Sequence, residues 1–303
     1  MQTPGRRRFR ARHPHTVAPP RPAVRGNPTD VDDGDRPPRR SAVAAARTTT
    51  LADAFDAIAG RYDTLVGLSP GYHRQLAASA RALARSLPAT DSPLVVDLGC
   101  GSGASTRALC QALPGARIVG VDASAGMIAA ARRKRWPQSV SFFRARAQDL
   151  RAVTQTHGAD GIFAAYLLRN VPQRQHLMRD LHAALAPGGT LLVHDYFCPA
   201  SRLGRFAWSA LAWIVIIPLS TALTRRPGLF VYLWRSVRDF EHAETVAAAL
   251  SAAGFEDVSV APVRGWERFV VHTVTARRPT GSPGPHGGPR LDEPYSRTPR
   301  SAP

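Results

Sequence analysis

The sequence predicts an α/β fold with a mostly parallel sheet covered on both faces. Three observations predict it. Short apolar runs alternate with helical stripes from residue 94 to residue 194. One run leads straight into the glycine-rich turn Gly99-Cys100-Gly101-Ser102-Gly103. Proline and glycine breaks, Pro114-Gly115 and Pro187-Gly188-Gly189, separate successive units. Strand–helix alternation of this kind implies right-handed βαβ crossovers.

The elements follow in order. Leu51, Phe55, Ile58, Ala59 and Tyr62 fall on one helical face, and Leu76, Ala80, Leu83 and Leu87 form the stripe of a second helix over Tyr72–Leu87. Pro88 to Pro93 ends it. Leu94–Leu98 is a strand, Ala104–Ala112 a helix, Arg117–Val121 a strand, Ser124–Arg135 a helix and Val140–Arg144 a strand. Gly161–Ala165 and Thr190–His194 are strands on either side of a helix over Gln173–Leu185 and the turn at Pro187-Gly188-Gly189. A helix over Ala243–Ala253 precedes two runs, Phe255–Val260 and Phe269–Thr275, that suit an antiparallel hairpin at the sheet edge.

The chain of 303 residues carries 40 basic and 22 acidic residues, and Lys134 is its only lysine. Much of the charge lies outside the expected fold. Residues 1–47 carry a net +7 and residues 277–303 a net +3, which leaves +8 for 48–276. Both ends are rich in Pro, Gly, Ser and Arg without apolar periodicity, so they are expected to be disordered extensions of one domain over 48–276. The three cysteines, Cys100, Cys110 and Cys198, show no CxxC spacing. They argue against a disulfide scaffold and a zinc site, and a reducing cytoplasm is the expected compartment with no metal.

The glycine-rich turn is the strongest local signal. Glycines at alternate positions let a ligand approach the backbone and offer N–H groups at a helix N-terminus. Asp97 precedes the turn, where a carboxylate could accept bonds from an ammonium group. Asp122 ends the next strand in Val119-Gly120-Val121-Asp122, where a carboxylate can accept both hydroxyls of a ribose. The alternative for Asp122 is a helix N-cap, a role Ser124 could equally fill.

The DLGCGSG turn, the VGVD strand end and the LAPGG turn resemble class I S-adenosylmethionine-dependent methyltransferases. The resemblance covers about residues 50–276. It implies a Rossmann-like, doubly wound, seven-stranded sheet with a terminal antiparallel strand, and S-adenosylmethionine as cofactor. More narrowly, Phe55-Asp56-Ala57-Ile58-Ala59-Gly60-Arg61-Tyr62-Asp63, Leu167-Leu168-Arg169-Asn170-Val171, the stretch from Tyr232 to Phe240 and Ala253-Gly254-Phe255 resemble motifs of the menaquinone and ubiquinone C-methyltransferase family. Cofactor positions then carry over to Thr106 and Asp122, and to Asp97, Gly99, Gly101 and Gly103. Ala147 follows Arg146 where the family commonly has an acidic or amide residue. Arginine accepts no bond from an adenine amino group, so Gln148 or Asp149 is expected to take that role. Ala165 and Leu167 also depart from the family pattern.

Methyl transfer from a sulfonium is an in-line displacement, so alignment and exclusion of water matter most. A ring carbon becomes nucleophilic when an ortho or para hydroxyl loses its proton, which calls for a group that stabilises a phenolate. The candidates are Arg169, Tyr62, Tyr166, His194 and Asp195, and the resemblance favours Arg169 and Tyr62. The alternatives are a surface ion pair for Arg169, a core contact for Tyr62 and a packed strand histidine for His194. The acceptor implied is a prenylated quinol such as demethylmenaquinol. A soluble aromatic metabolite, a lipid amine, or cofactor binding without catalysis are the other readings. Nucleic acid is not an expected partner, because the core charge is spread along the sequence and no NPPY-like motif appears.

Phe206 to Leu223 is eighteen residues without a charge, flanked by Arg202, Arg205, Arg225 and Arg226. A span there would place the last strands across the bilayer from their sheet. The expectation is a helical lid over 200–240 whose aromatics Phe206, Trp208 and Trp213 touch the inner face of the cell membrane.

Overall fold

A computed structural model describes residues 71–281, apart from 151–153, 155–157 and 225–226, together with Asp53, Phe55, Asp56, Ala59, Asp63 and Gly67. Leu51, Ile58 and Tyr62 lie outside the described residues, as do most of the two extensions.

The elements are α1 (Tyr72–Ser86), β1 (Leu94–Leu98), α2 (Ala104–Ala112), β2 (Arg117–Asp122), α3 (Ala125–Arg132), β3 (Val140–Arg144), β4 (Ala159–Ala165), α4 (Arg174–Ala184), β5 (Leu185–Tyr196), α5 (Arg202–Leu211), α6 (Ile217–Thr224), α7 (Pro227–Arg238), α8 (Ala243–Ala252), β6 (Glu256–Pro262) and β7 (Val271–Arg277). The seven strands form one sheet in the order β3-β2-β1-β4-β5-β7-β6. β1 to β5 are parallel, and β7 pairs antiparallel with both β5 and β6. The expected seven-stranded, doubly wound sheet is therefore present. The antiparallel strand is β7, inserted between β5 and the edge strand β6.

Period-two alternation divides the core. Val95, Phe163 and Leu192 face α1 and α2, packing with Leu76, Leu83 and Leu109. Val96, Ile162, Leu191 and Val193 face the other way, against Leu177 and Leu181 of α4 and Val246 and Leu250 of α8. The central strands β1, β4 and β5 are buried on both faces and read as near-continuous apolar runs, whereas the edge strands β3 and β6 expose side chains.

Three boundaries differ from the sequence reading. α3 stops at Arg132 rather than Arg135, because the Trp136 indole N–H donates to the Ala131 carbonyl (2.8 Å) and draws the chain away. The Pro187-Gly188-Gly189 segment is the start of β5 rather than a separate turn. Leu185 pairs with Ala159, the register shifts before Gly161, and Gly188 N–H bonds to the Arg278 carbonyl at 2.9 Å. The fold also runs past residue 276: Arg277 ends β7, and the buried Arg278 donates to the Leu185 carbonyl.

The apolar stretch is helical from Arg202 to Ala222 and is long and apolar enough to cross a membrane by length and composition. Pro218 has no N–H for the helix ladder, and a wide π-type turn, Ala212–Ile216, takes up the mismatch. One face is seated on the domain: Trp208 packs with Val237, Val270 and Val271, and Ala212 and Ile217 are buried. The other face exposes Leu203, Phe206, Trp213, Ile214, Val215 and Leu219. The sequence reading placed Trp208 on the exposed face. It is 2% exposed and stacks near Tyr196 instead, with centroids 5.6 Å apart.

Candidate active site

Strand order reverses between β1 and β4, which is where open α/β sheets bind ligands at their carboxyl edge. A cleft of about 1050 Å³ of empty volume, its open mouth included, lies there. The β1–α2 loop forms one wall. Gly99 and Cys100 donate their N–H groups to the Val121 carbonyl at 2.7 and 3.0 Å, which ties the loop to the end of β2. Gly99, Gly101 and Gly103 all have φ between 53° and 94°, in the left-handed region. A Cβ on Gly103 would lie 2.7 Å from the Trp136 ring, so the backbone there admits no side chain.

Asp122 lines the cleft and organises that loop. Its Oδ2 accepts the Gly101 N–H at 2.9 Å and its Oδ1 the Ser124 N–H at 2.8 Å. Ser124 is the N-cap of α3, through Oγ to the Met127 N–H at 3.0 Å. Each Asp122 oxygen keeps a lone pair for a ligand hydroxyl. Burial raises the Asp122 pKa from its ordinary value.

Asp97 and Thr106 lie beneath the glycine-rich loop. Neither lines the cleft. Asp97 Oδ2 accepts the hydroxyls of Ser105 (2.8 Å) and Thr106 (2.6 Å) beneath the loop. Asp97 Oδ1 is buried without a hydrogen-bond partner among the described residues. An orphaned, fully buried carboxylate oxygen under a glycine-rich loop fits the ammonium-bearing cofactor that the sequence implies.

Burial pushes the Asp97 pKa up to about 7, partly offset by the two hydroxyls. An unfolded chain ionises the same group near pH ~3.9. Between these values the folded protein holds a proton that the unfolded chain has lost. The contribution of Asp97 to stability is therefore fully present below about pH 4 and is lost as pH rises to about 7. Asp97→Asn should flatten this part of the stability profile, with a differential on the order of a few kcal/mol between pH 4 and pH 8. Urea midpoints across that range test it, and an unchanged slope would remove the assignment.

Ala147 and Gln148 line the cleft from the 3₁₀ turn Ala147–Asp149. Asp149 does not; it is drawn to Arg146, with Nε to Oδ2 at 3.8 Å. Gln148 is thus the amide residue of this turn that lines the cleft. Two aspartates of the N-terminal motif tie down the segments beside the cleft, Asp56 the start of α3 and Asp63 the glycine-rich loop. Asp56 accepts the Gly126 N–H at 2.8 Å and the Ser124 hydroxyl. Asp63 accepts the Ser102 hydroxyl at 2.5 Å and pairs with Lys134 at 2.6 Å. The chain's one lysine also donates to the Ser102 carbonyl at 2.7 Å. Phe55 of the same segment lines the cleft.

The opposite wall is aromatic. Tyr72 and Tyr166 line it, stacked 5.4 Å apart at 12°. Arg169 and Asp195, expected as separate candidates, form one buried ion pair from Nη1 to Oδ1, with side chains 8% and 0% exposed. Neither lines the cleft. The guanidinium carbon lies 5.8 Å from the Tyr166 ring centre and 5.4 Å from that of Tyr196. His194 is buried; its pKa is lowered to about 3 by burial alone, so it is neutral and not a proton acceptor near neutral pH.

The sequence reading missed a second polar cluster. Glu267, buried in the 3₁₀ turn Trp266–Phe269, accepts the Gln75 amide at 2.5 Å and the Tyr196 hydroxyl at 3.3 Å. No local pattern marks this cluster, because Gln75 and Glu267 are 192 positions apart.

Comparisons with known proteins agree with this architecture. The profile of the ubiE/COQ5 methyltransferase family matches residues 43–269. The demethylmenaquinone methyltransferase of Mycolicibacterium vanbaalenii is 30% identical over 213 residues, 69% of this chain and 87% of that protein. The trans-aconitate 2-methyltransferase of Azoarcus sp. is 41% identical over 130 residues, but these cover only 42% of this chain and 49% of that one. The structure of Haemonchus contortus phosphoethanolamine N-methyltransferase 2 in complex with S-adenosyl-L-methionine covers 74% of this chain and 57% of its own, at 17% identity and TM-score 0.53, a likeness of fold. A profile match running from ahead of the clamping aspartates to the Glu267 turn takes in both walls of the cleft, and the chain belongs to the ubiE/COQ5 methyltransferase family.

Proposed function

We propose that the protein C-methylates a prenylated quinol of the demethylmenaquinol type, working as a peripheral protein on the cytoplasmic face of the cell membrane. The enzyme class is that of its family, and S-adenosylmethionine is its cofactor. The observation that carries the quinol reading is the coupling of an aromatic cleft to an exposed apolar helix. The Tyr232 hydroxyl of α7 donates to Asn170 Oδ1 on the cleft wall at 3.1 Å. Tyr196 joins Tyr166 to Trp208 on the seated face of the apolar helix, with ring centres 5.2 and 5.6 Å away. On this reading the flat ring enters the cleft and the tail lies along the exposed face of that helix.

When bound, the cofactor supplies a methyl group already activated on a cationic sulfur. The chain's own residues do the rest. The glycine loop admits the ligand to the backbone, Asp122 holds hydroxyls, Gln148 faces the base, and the Tyr72–Tyr166 wall excludes water from the acceptor. The Arg169–Asp195 pair fixes the Leu168–Asn170 turn behind that wall, so that Asn170 and Tyr166 keep their places.

Labelled methyl transfer tests the reading. With demethylmenaquinol in detergent, label should enter the quinol. Transfer only to a soluble acid, which the trans-aconitate relative raises as the second reading, would overturn it. No transfer to any acceptor would leave a cofactor-binding protein without catalysis.

The membrane reading carries its own prediction. Phe206, Trp213 and Ile214 are 71%, 51% and 74% exposed. Removing about 3 large apolar contacts should release the protein from anionic liposomes, since each buried side chain is worth roughly 1.5–3 kcal/mol. The variant combines Phe206→Glu, Trp213→Glu and Ile214→Glu and spares Trp208, whose loss would disturb the core. Binding of the parent should also weaken with salt, because the flanking arginine attraction is screened. Liposome flotation reads both, and equal binding by parent and variant would discard the interfacial face.

A further inference from the structure

We propose that Tyr166 is the hydrogen-bond donor to the oxygen of the methyl acceptor, and that His194 is the positioning residue that aims it. The inference rests on the phenolic acceptor argued above and assigns a residue to its oxygen.

Tyr166 follows β4 at the carboxyl edge of the sheet and lines the cleft. Its φ is 56°, one of two non-glycine residues in the left-handed region among the described residues. Such a conformation persists only where surroundings over-determine it. Here Tyr72 stacks on the ring at 5.4 Å, His194 meets it edge-on at 5.0 Å and Tyr196 lies 5.2 Å away. Its N–H bonds to the His194 carbonyl at 2.7 Å.

The hydroxyl sits 3.1 Å from His194 Nε2. On the far side of the imidazole, Nδ1 lies 2.9 Å from Ser79 Oγ, which is 3.4 Å from Thr273 Oγ1. We assign Thr273 as donor to Ser79 and Ser79 as donor to Nδ1, which puts the single proton of the neutral ring on Nε2. That N–H is then given to the Tyr166 oxygen. In this assignment the tyrosine's own proton goes to the oxygen of the acceptor in the cleft that Tyr166 lines.

The groups facing Tyr166 keep this arrangement constant with pH. They are Tyr72 from α1, Tyr196 and His194 from β5, Arg169 from the Leu168–Asn170 turn and Glu267 from the turn before β7. Arg169 is paired with Asp195, and Glu267 accepts from Gln75 and Tyr196. Burial raises the Tyr166 pKa well above its ordinary value and holds His194 neutral. Neither group titrates in the working range, so Tyr166 remains a donor and never takes the proton.

The step balances on that basis. The acceptor hydroxyl releases its proton to water at the cleft mouth before the ring is enclosed, and the charge left on oxygen receives the Tyr166 hydrogen bond. The ring carbon forms a bond to the methyl group as the carbon–sulfur bond breaks with its electron pair on sulfur. The hydrogen on that ring carbon leaves, and the oxygen regains a proton. One methyl enters and one proton is released in all.

The test uses the full chain and a nitronaphthol, whose phenolate is coloured, so the pKa of the bound phenol is read without turnover. Binding to the parent should lower that pKa, and Tyr166→Phe should return it upward by about one unit. His194→Leu should do the same, and His194→Gln, which restores an N–H near the same place, should recover most of the shift. The acid limb of kcat on the quinol should move in parallel, with kcat falling about tenfold in Tyr166→Phe. Tyr166→Phe keeps the ring stack, and equal melting temperatures confirm the comparison. A bound pKa equal in parent and Tyr166→Phe would overturn the inference while leaving the phenolic acceptor standing. A parent that binds no naphthol would overturn both.

Discussion

Asp122→Ala is expected to weaken S-adenosylmethionine binding by about tenfold to a hundredfold. The carboxylate stands at the end of β2, lines the cleft, and already accepts the Gly101 and Ser124 N–H groups. Removing it leaves these two donors and the ribose hydroxyls without an acceptor, at about 1–3 kcal/mol for each group that stays unpaired. The effect is therefore both direct and through the loop. Asp122→Asn separates the two contributions, because the amide oxygen can still take one N–H while the charge is gone. Its affinity should fall between those of parent and alanine variant. The raised pKa of Asp122 adds a pH signature. As pH falls through that value the carboxylate gains a proton and loses acceptor capacity, so cofactor affinity should decline on the acid side, and the decline should vanish in Asp122→Ala. Titration calorimetry at several pH values reads both. Unchanged affinity in a folded Asp122→Ala protein would remove Asp122 from the site.

The parts of the site that were legible in the sequence are local. The glycine loop, Asp122 and the Ala147-Gln148 pair each follow a strand end, and a parallel sheet brings strand ends to one edge. The apolar runs place β1 to β4 within two residues: β1, β2 and β4 are buried on both faces, and the edge strand β3 is marked by Val140, Phe142 and Phe143. What was hidden depends on long-range pairing. Ser79 and His194 are 115 positions apart, and Gln75 and Glu267 are 192 apart. No local pattern encodes the meeting of α1 with the far end of the sheet. For Asp97 the motif marks the position but not its partners: Oδ2 is taken by Ser105 and Thr106 and Oδ1 is left for a ligand. Trp208 shows the same limit for a composition argument. An uncharged stretch marks an apolar helix, but which face packs depends on Val237, Val270 and Val271, which lie outside it.

Arg169→Met should have the largest effect on stability, about 3–5 kcal/mol. Asp195 is fully buried and holds three donors: the Arg169 guanidinium, the Tyr196 N–H at 2.8 Å and the Arg169 N–H at 3.3 Å. Removing the guanidinium strands a carboxylate in an apolar interior. The two remaining N–H bonds do not compensate its charge. For a domain of this size the loss corresponds to a fall of roughly 10 °C in melting temperature. The double variant Arg169→Met with Asp195→Leu removes both charges and should recover part of the stability, because an isolated buried charge costs more than an absent pair. Activity discriminates what the pair does beyond folding. If it holds the Leu168–Asn170 turn and the Tyr166 wall in place, the double variant should regain melting temperature while methyl transfer stays low. If it is only a structural pair, the double variant should regain both together. A single variant as stable as the parent would show that Asp195 is not held ionised by Arg169.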